Sequence, residues 1–266
     1  MKQIPNILTL ANLFCGALAI IFILQSPSYI AAFNGQDYMV TAPQPVYYAS
    51  VLIAIAAVID FFDGFAARLL RVQSPIGKEL DSLADVVTFG VAPGMILYQL
   101  LRSAYMQQPG AIDVNMASVA VALLLPCFGA YRLARFNTDD KPGENFVGVP
   151  IPAVGLLVAS FPLIMLHNSF GLAPWLQKIW LLYLIIFLLC YLMVSTHPMI
   201  SLKFKNLKFR DNLSRFVLIA AVAVSVPFLH YAAVPFAFVL YVALSLVVPP
   251  TTQPHSDGVQ PGGHSS

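Results

Sequence analysis

Charge is what this chain has least of: 10% of its 266 residues are Asp, Glu, Lys or Arg, while 59% are hydrophobic. That balance excludes an ordinary soluble domain and points to a polytopic membrane protein. Cysteine is scarce too. Cys15, Cys127 and Cys190 all fall within apolar runs, form no disulfide framework or metal-ligand spacing, and read as small buried hydrophobes. The first apolar run has one lysine before it and no small-residue cleavage site after it, so it reads as a retained helix rather than a signal peptide. A G-x4-G-K-[ST] phosphate loop is missing. His255 and His264 are too sparse for a metal site.

What the chain does have is a series of long apolar runs. Each bilayer crossing takes about 20 mostly apolar residues. Runs lie at roughly 6–24, 46–69, 83–101, 114–136, 151–168, 176–194, 213–229 and 232–248. They predict an all-α, polytopic integral membrane bundle of about eight transmembrane helices, one domain over residues 1–248. Residues 249–266, rich in Pro, Gly, Ser and His, read as a disordered tail. With the N-terminus in the cytoplasm, every lysine and arginine except Arg102 and Lys178 falls on the cytoplasmic side, the orientation that the positive-inside rule favours. Both termini are then cytoplasmic, in a cell (inner) membrane, and the loop from Gln25 to Pro45, free of Lys and Arg, lies outside.

The few acids are concentrated. Four of the twelve, Asp60, Asp63, Asp81 and Asp85, lie at the end of one apolar run and the start of the next. Carboxylates at the edge of a bilayer core are costly and are usually functional. Asp60 and Asp63 are i,i+3 and Asp81 and Asp85 are i,i+4, so each pair shares a helix face. Ser74-Pro75 and Gly77 suit a break between two helices, and a hairpin built this way brings the pairs together. Four close carboxylates need a positive partner, and all-oxygen ligands favour Mg²⁺ or Mn²⁺ over Zn²⁺. Gly64 and Gly77 open the backbone beside them, and Arg68 is placed to grip phosphate. Metal, open backbone and arginine together suggest a pyrophosphate site. The plainer alternative is a set of helix-end charges paired with Arg68, Arg71 and Lys78.

Other polar residues are patterned as well. Asn6, Thr9, Asn12 and Gly16 recur at helical spacing in the first run; such a stripe packs on another helix or faces a polar cavity. Pro93 predicts a kink or broken turn. Arg132 and Arg135 share a face at the end of the fourth run, either snorkelling to headgroups or holding an anion, a lipid phosphate or a substrate carboxylate. Thr138–Pro150 is a polar loop, and Ile151-Pro152 puts proline at a favoured helix start. Lys203, Lys205, Lys208 and Arg210, interleaved with Leu and Phe, read as an interfacial segment on anionic lipid.

The stretch Asp60-x2-Asp63-Gly64-x2-Ala67-Arg68-x8-Gly77-x3-Asp81-x3-Asp85 resembles the signature of the CDP-alcohol phosphatidyltransferases at every specified position. Further stretches resemble one branch, the integral-membrane CDP-diacylglycerol–serine O-phosphatidyltransferases (phosphatidylserine synthases). These are Ile4-Pro5-Asn6 through Gly16, Asp81 through Pro93, Tyr131 through Asn137, Phe146 through Pro152, and Ser195-Thr196 with Ser201-x-Lys203. Met199 stands where that branch often has tyrosine. The resemblance implies transfer of a phosphatidyl group from CDP-diacylglycerol to L-serine, releasing CMP. It implies two Mg²⁺ or Mn²⁺ ions on Asp60, Asp63, Asp81 and Asp85, with Asp85 also the candidate base. Gly64, Ala67, Arg68 and Gly77 would line the CDP site, with Arg132 and Arg135 on the serine carboxylate or a lipid phosphate. Membrane lipid and a second copy of the chain, as a homodimer, are the implied partners; nucleic acid is not.

Two rivals differ from this reading. Another acceptor (glycerol 3-phosphate, inositol phosphate or choline) would use the same chemistry. A transporter would spread its acids along a path through several helices, with paired repeats, whereas these cluster at one hairpin end. The phosphohistidine route to phosphatidylserine is excluded, because none of the five histidines is followed by lysine two residues on.

Overall fold

A computed structural model describes residues 4–26, 28–33, 36–41, 44–70, 75–108, 114–138, 146–199 and 213–247. Helix α1 spans Ile4–Leu24, and α2 spans Gln44–Leu69. Helix α3 begins at Pro75, where a missing N–H costs nothing, and runs to Asp85. It continues through a π-helical turn, Val86–Val91, into α4, Ala92–Met106. The third crossing is therefore one helical stretch of 32 residues, Pro75–Met106, starting earlier than the run at 83–101 suggested. Pro93 does not break it. Proline lacks an N–H and crowds the preceding turn; here the turn before it is widened into the π form, which keeps the helix continuous.

Asn115 caps α5 (Met116–Ala120), its Oδ1 accepting the Ala117 N–H at 3.0 Å. A 3-10 turn, Val121–Leu123, leads into α6, Leu124–Thr138. Helix α7 is Ile151–His167, with proline in its first turn as the sequence implied. After a short α8 (Ala173–Leu176) come α9 (Ile179–Val194), α10 (Leu213–Leu229) and α11 (Ala233–Val247). His230, at φ 49°, interrupts the last long apolar stretch, and α10 packs against α11. Each of the eight expected crossings thus corresponds to a helix. Among the described residues, five stretches are long and apolar enough to span a bilayer, and Ile151–His167 and Ile179–Val194 are shorter apolar helices. The chain is an all-helical, membrane-embedded bundle.

Two small sheets depart from that pattern. The loop from Gln25 to Pro45 contains an antiparallel hairpin, β1 (Ser28–Phe33) on β2 (Gln36–Thr41), with Ser28 opposite Thr41. Two-residue strands β3 (Phe146–Val147) and β4 (Pro198–Met199) pair where the loop after α6 meets the end of α9. Gly148, at φ 72°, turns the chain there, and its N–H reaches the His197 carbonyl at 3.1 Å. The basic segment expected near 203–210 and the tail at 249–266 lie outside the described residues.

Helix α1 lies along α2 and touches α3 and the π turn. The core gathers on α4 and α7 through Phe89, Ile96, Leu97, Leu101, Val154 and Val158, all buried. Small residues set how close the helices come. A Cβ on Gly155 would sit 2.9 Å from Phe89 Cα, and one on Gly16 would run into Thr88. Leucine at either place would force the π turn away from its neighbours. The cysteines are free, but only Cys190 is buried; Cys15 is half-buried and Cys127 exposed, so burial is not common to all three. Each occupies a helix face set by its own register rather than by its apolar run.

Candidate active site

Helix periodicity puts Asp60 and Asp63 on one face near the end of α2, and Asp81 and Asp85 on one face of α3. The hairpin then closes them together. One carboxylate oxygen from each of Asp60, Asp81 and Asp85 lies within 4.8 Å of the others. Asp63 is close to both Asp60 and Asp81 but outside that tight group. It is buried, and its carboxylate accepts from Thr9 Oγ1 on α1, which also lies 3.0 Å from the Pro5 carbonyl.

The three-carboxylate group fits a hard divalent cation. Opposite oxygen ligands around such an ion stand roughly 4–5 Å apart for bond lengths of about 2.0–2.6 Å. Asp85 is buried, and its Oδ1 has no hydrogen-bond partner. A bare carboxylate oxygen beside two more carboxylates is costly, and a cation is the partner that relieves both the repulsion and the lost hydration.

Helix α6 supplies the positive side. Arg132 is 8% exposed, lies near Asp85 and Tyr241, and leaves its Nε without a partner. Arg135, one turn on, is exposed and directs a guanidinium nitrogen to the Val194 carbonyl at 3.5 Å. Only one of the two arginines is therefore brought to the aspartates. A chain of contacts fixes α6 on α3: Lys78 Nζ donates to the Asn137 carbonyl at 3.2 Å, and Asn137 Nδ2 donates to Ser82 Oγ at 2.8 Å. Ser82 follows Asp81 directly, so this tie holds the α3 carboxylates in place.

Gly64 is exposed, with nothing within 4 Å of where a Cβ would stand, and this leaves the α2 backbone open next to Asp63. Ala67 is half-buried one turn further along, and Gly77 is half-buried in the first turn of α3. Arg68 lies in the last turn of α2, its side chain outside the described residues.

Three further residues belong with the site. Thr9 meets Asp63. Asn12, fully buried, sits beside Asp85 without closing a hydrogen bond of ordinary geometry. Tyr241, on α11, is buried near Arg132. The polar stripe on α1 was the available signal for the first two: it packs a helix at Gly16 and lines the cluster at Thr9 and Asn12. Tyr241 had no signal, since a lone tyrosine in an apolar run is ordinary.

A family described as CDP-alcohol phosphatidyltransferase matches residues 2–194. The chain is 33% identical over 178 residues to the CDP-diacylglycerol–serine O-phosphatidyltransferase of Bacillus subtilis, covering 65% of this chain and 85% of that protein. The enzyme of that name from Helicobacter pylori is 32% identical over 219 residues, covering 81% and 77%. The one from Mycobacterium leprae is 37% identical over 209 residues, covering 76% of this chain and 59% of that longer protein. The chain belongs to the CDP-alcohol phosphatidyltransferase family.

Proposed function

We propose that this member of the family transfers the phosphatidyl group of CDP-diacylglycerol to the hydroxyl of L-serine, giving phosphatidylserine and CMP. The observation that carries the reading is the Asp60–Asp81–Asp85 cluster at one end of a membrane-embedded hairpin, with buried Arg132 beside it. The names of the relatives supply serine as the acceptor.

Asp60, Asp63, Asp81 and Asp85 would hold Mg²⁺ or Mn²⁺, as two ions, with Thr9 fixing the Asp63 carboxylate. Bound metal supplies neutralisation of the pyrophosphate and stabilisation of the departing CMP. Gly64, Ala67, Arg68 and Gly77 line the CDP side, where an open backbone and a guanidinium suit a pyrophosphate. Asp85 orients the serine hydroxyl and takes its proton as the oxygen attacks phosphorus. A cation held there would weaken Asp85 as a base, which makes orientation of the hydroxyl the larger share of its work. Arg132 holds the serine carboxylate from the far side of Asp85. Arg135, exposed and turned to α9, suits a lipid phosphate at the membrane surface. The charge distribution favours a cytoplasmic position for this end, on the side where nucleotides and amino acids are found. By family likeness the working unit is a homodimer.

The test is an acceptor panel. Purified protein in detergent, with CDP-diacylglycerol and Mn²⁺, should release CMP with L-serine and not with glycerol 3-phosphate, inositol phosphate or choline. Release with one of those instead would keep the aspartates and replace the acceptor. No release with any alcohol, from folded protein, would remove the transferase reading.

A further inference from the structure

Asn12 is fully buried beside Asp85, with its amide in reach of that carboxylate and, among the described residues, no hydrogen-bond partner for its Oδ1. Asp85 Oδ1, next to it, is unmatched too. A buried amide oxygen with no partner is rare and costly, and beside a cluster of carboxylates it suits a donor brought by a ligand. Its position is not slack. The Asn12 carbonyl accepts from Thr88 Oγ1 at 3.2 Å, and Gly16, one turn on, lets α1 press against the π turn at Thr88. Helix α1 is thereby held so that the Asn12 side chain lies by Asp85.

An amide has two faces: an NH₂ that donates and a carbonyl oxygen that accepts. With Nδ2 turned toward the Asp85 carboxylate, Oδ1 is left for an N–H donor. Arg132 stands near the same carboxylate with a guanidinium, and its Nε is also unmatched. A molecule placed by Asp85 therefore meets an acceptor oxygen, a carboxylate and a cation. That combination complements an amino acid bearing a hydroxyl: ammonium to Asn12, hydroxyl to Asp85, carboxylate to Arg132.

We infer that Asn12 is the acceptor-selecting residue, its Oδ1 receiving the ammonium of the amino-acid substrate while its Nδ2 steadies Asp85, an assignment that rests on serine being the acceptor. The test is steady-state kinetics of wild type and Asn12→Ala with L-serine, together with inhibition by 3-hydroxypropionate, which keeps the hydroxyl and carboxylate but lacks the ammonium. The expected result is a rise in KM for serine of about 10- to 100-fold, the range for losing a hydrogen bond to a charged group. The KM for CDP-diacylglycerol and the inhibition constant of 3-hydroxypropionate should each stay within about twofold. Unchanged thermal stabilisation of the variant by CDP-diacylglycerol shows that it is folded. If serine KM does not move, or moves together with the other two constants, Asn12 has a structural role and the inference falls alone. Wild-type protein that uses no serine overturns the acceptor reading and this inference together.

Discussion

The two ends of the bundle treat their polar groups in opposite ways. At the end away from the aspartates several polar side chains tie helices together, and among the described residues Ser26 Oγ is the buried hydroxyl left without a partner there. Tyr105 and Tyr183 share a hydrogen bond of 2.8 Å, and the Tyr183 hydroxyl donates to the Ser118 carbonyl at 2.8 Å. Gln99 Nε2 closes on the Ile23 carbonyl at 3.1 Å, and the His167 ring stacks on Tyr231 at 4.6 Å between centroids. At the other end, Asn12, Asp85 and Arg132 are buried with polar atoms unmatched. What separates them is that an amide, a carboxylate and a guanidinium with unmatched atoms lie together at the aspartate end, against a single hydroxyl, Ser26 Oγ, at the other. Satisfied groups act as ties between helices, whereas several unmatched ones gathered around carboxylates suit a ligand.

That contrast should break along functional lines under mutation. The largest effect belongs to Asp85→Asn: serine-dependent CMP release should fall by about 10²- to 10⁴-fold, the share of a positioned acid–base group. Its melting temperature in detergent should hold or rise, because one of three crowded like charges is gone. Thr9→Val removes the hydroxyl from Asp63 and should lower kcat/KM roughly tenfold or more, read together with a raised requirement for Mn²⁺. Gly155→Ala sharpens the comparison from the other side. It drives a methyl into the Phe89 backbone and should cost about 1–3 kcal/mol of stability, seen as a lower melting temperature, with KM for serine unchanged. Tyr183→Phe is the smallest change, costing about 1 kcal/mol of stability and leaving catalysis intact. A Tyr183→Phe variant with impaired turnover would mean that the opposite end is not merely structural.

Much of this was readable beforehand, because the informative features were local. Apolar runs set the crossings, and the spacing of Asp60, Asp63, Asp81 and Asp85 set their faces. What the sequence concealed depends on how helices meet. Arg132 and Arg135 have the same spacing argument behind them, yet α3 and α11 cover one and α9 takes the other to the surface. The stripe Thr9–Asn12–Gly16 allowed both packing and cavity lining, and only the approach of α1 to the π turn shows that it does both. Pro93 announced a distortion without saying that a widened turn would absorb it. The β1–β2 hairpin gave no apolar alternation strong enough to stand out from a loop. Tyr241 reaches Arg132 from beyond the family match at 2–194, a contact that no local pattern encodes.

If the aspartate cluster is a metal-dependent site for phosphatidyl transfer to serine, its activity must follow the metal. The direct measurement is a Mn²⁺ titration of EDTA-stripped protein, following serine-dependent CMP release in wild type and in Asp81→Asn. The expected result is no release without metal, full recovery of the wild type on adding Mn²⁺, and a variant that needs at least about tenfold more Mn²⁺ or never recovers. Release that persists without metal, or identical titration curves for the two proteins, would contradict it.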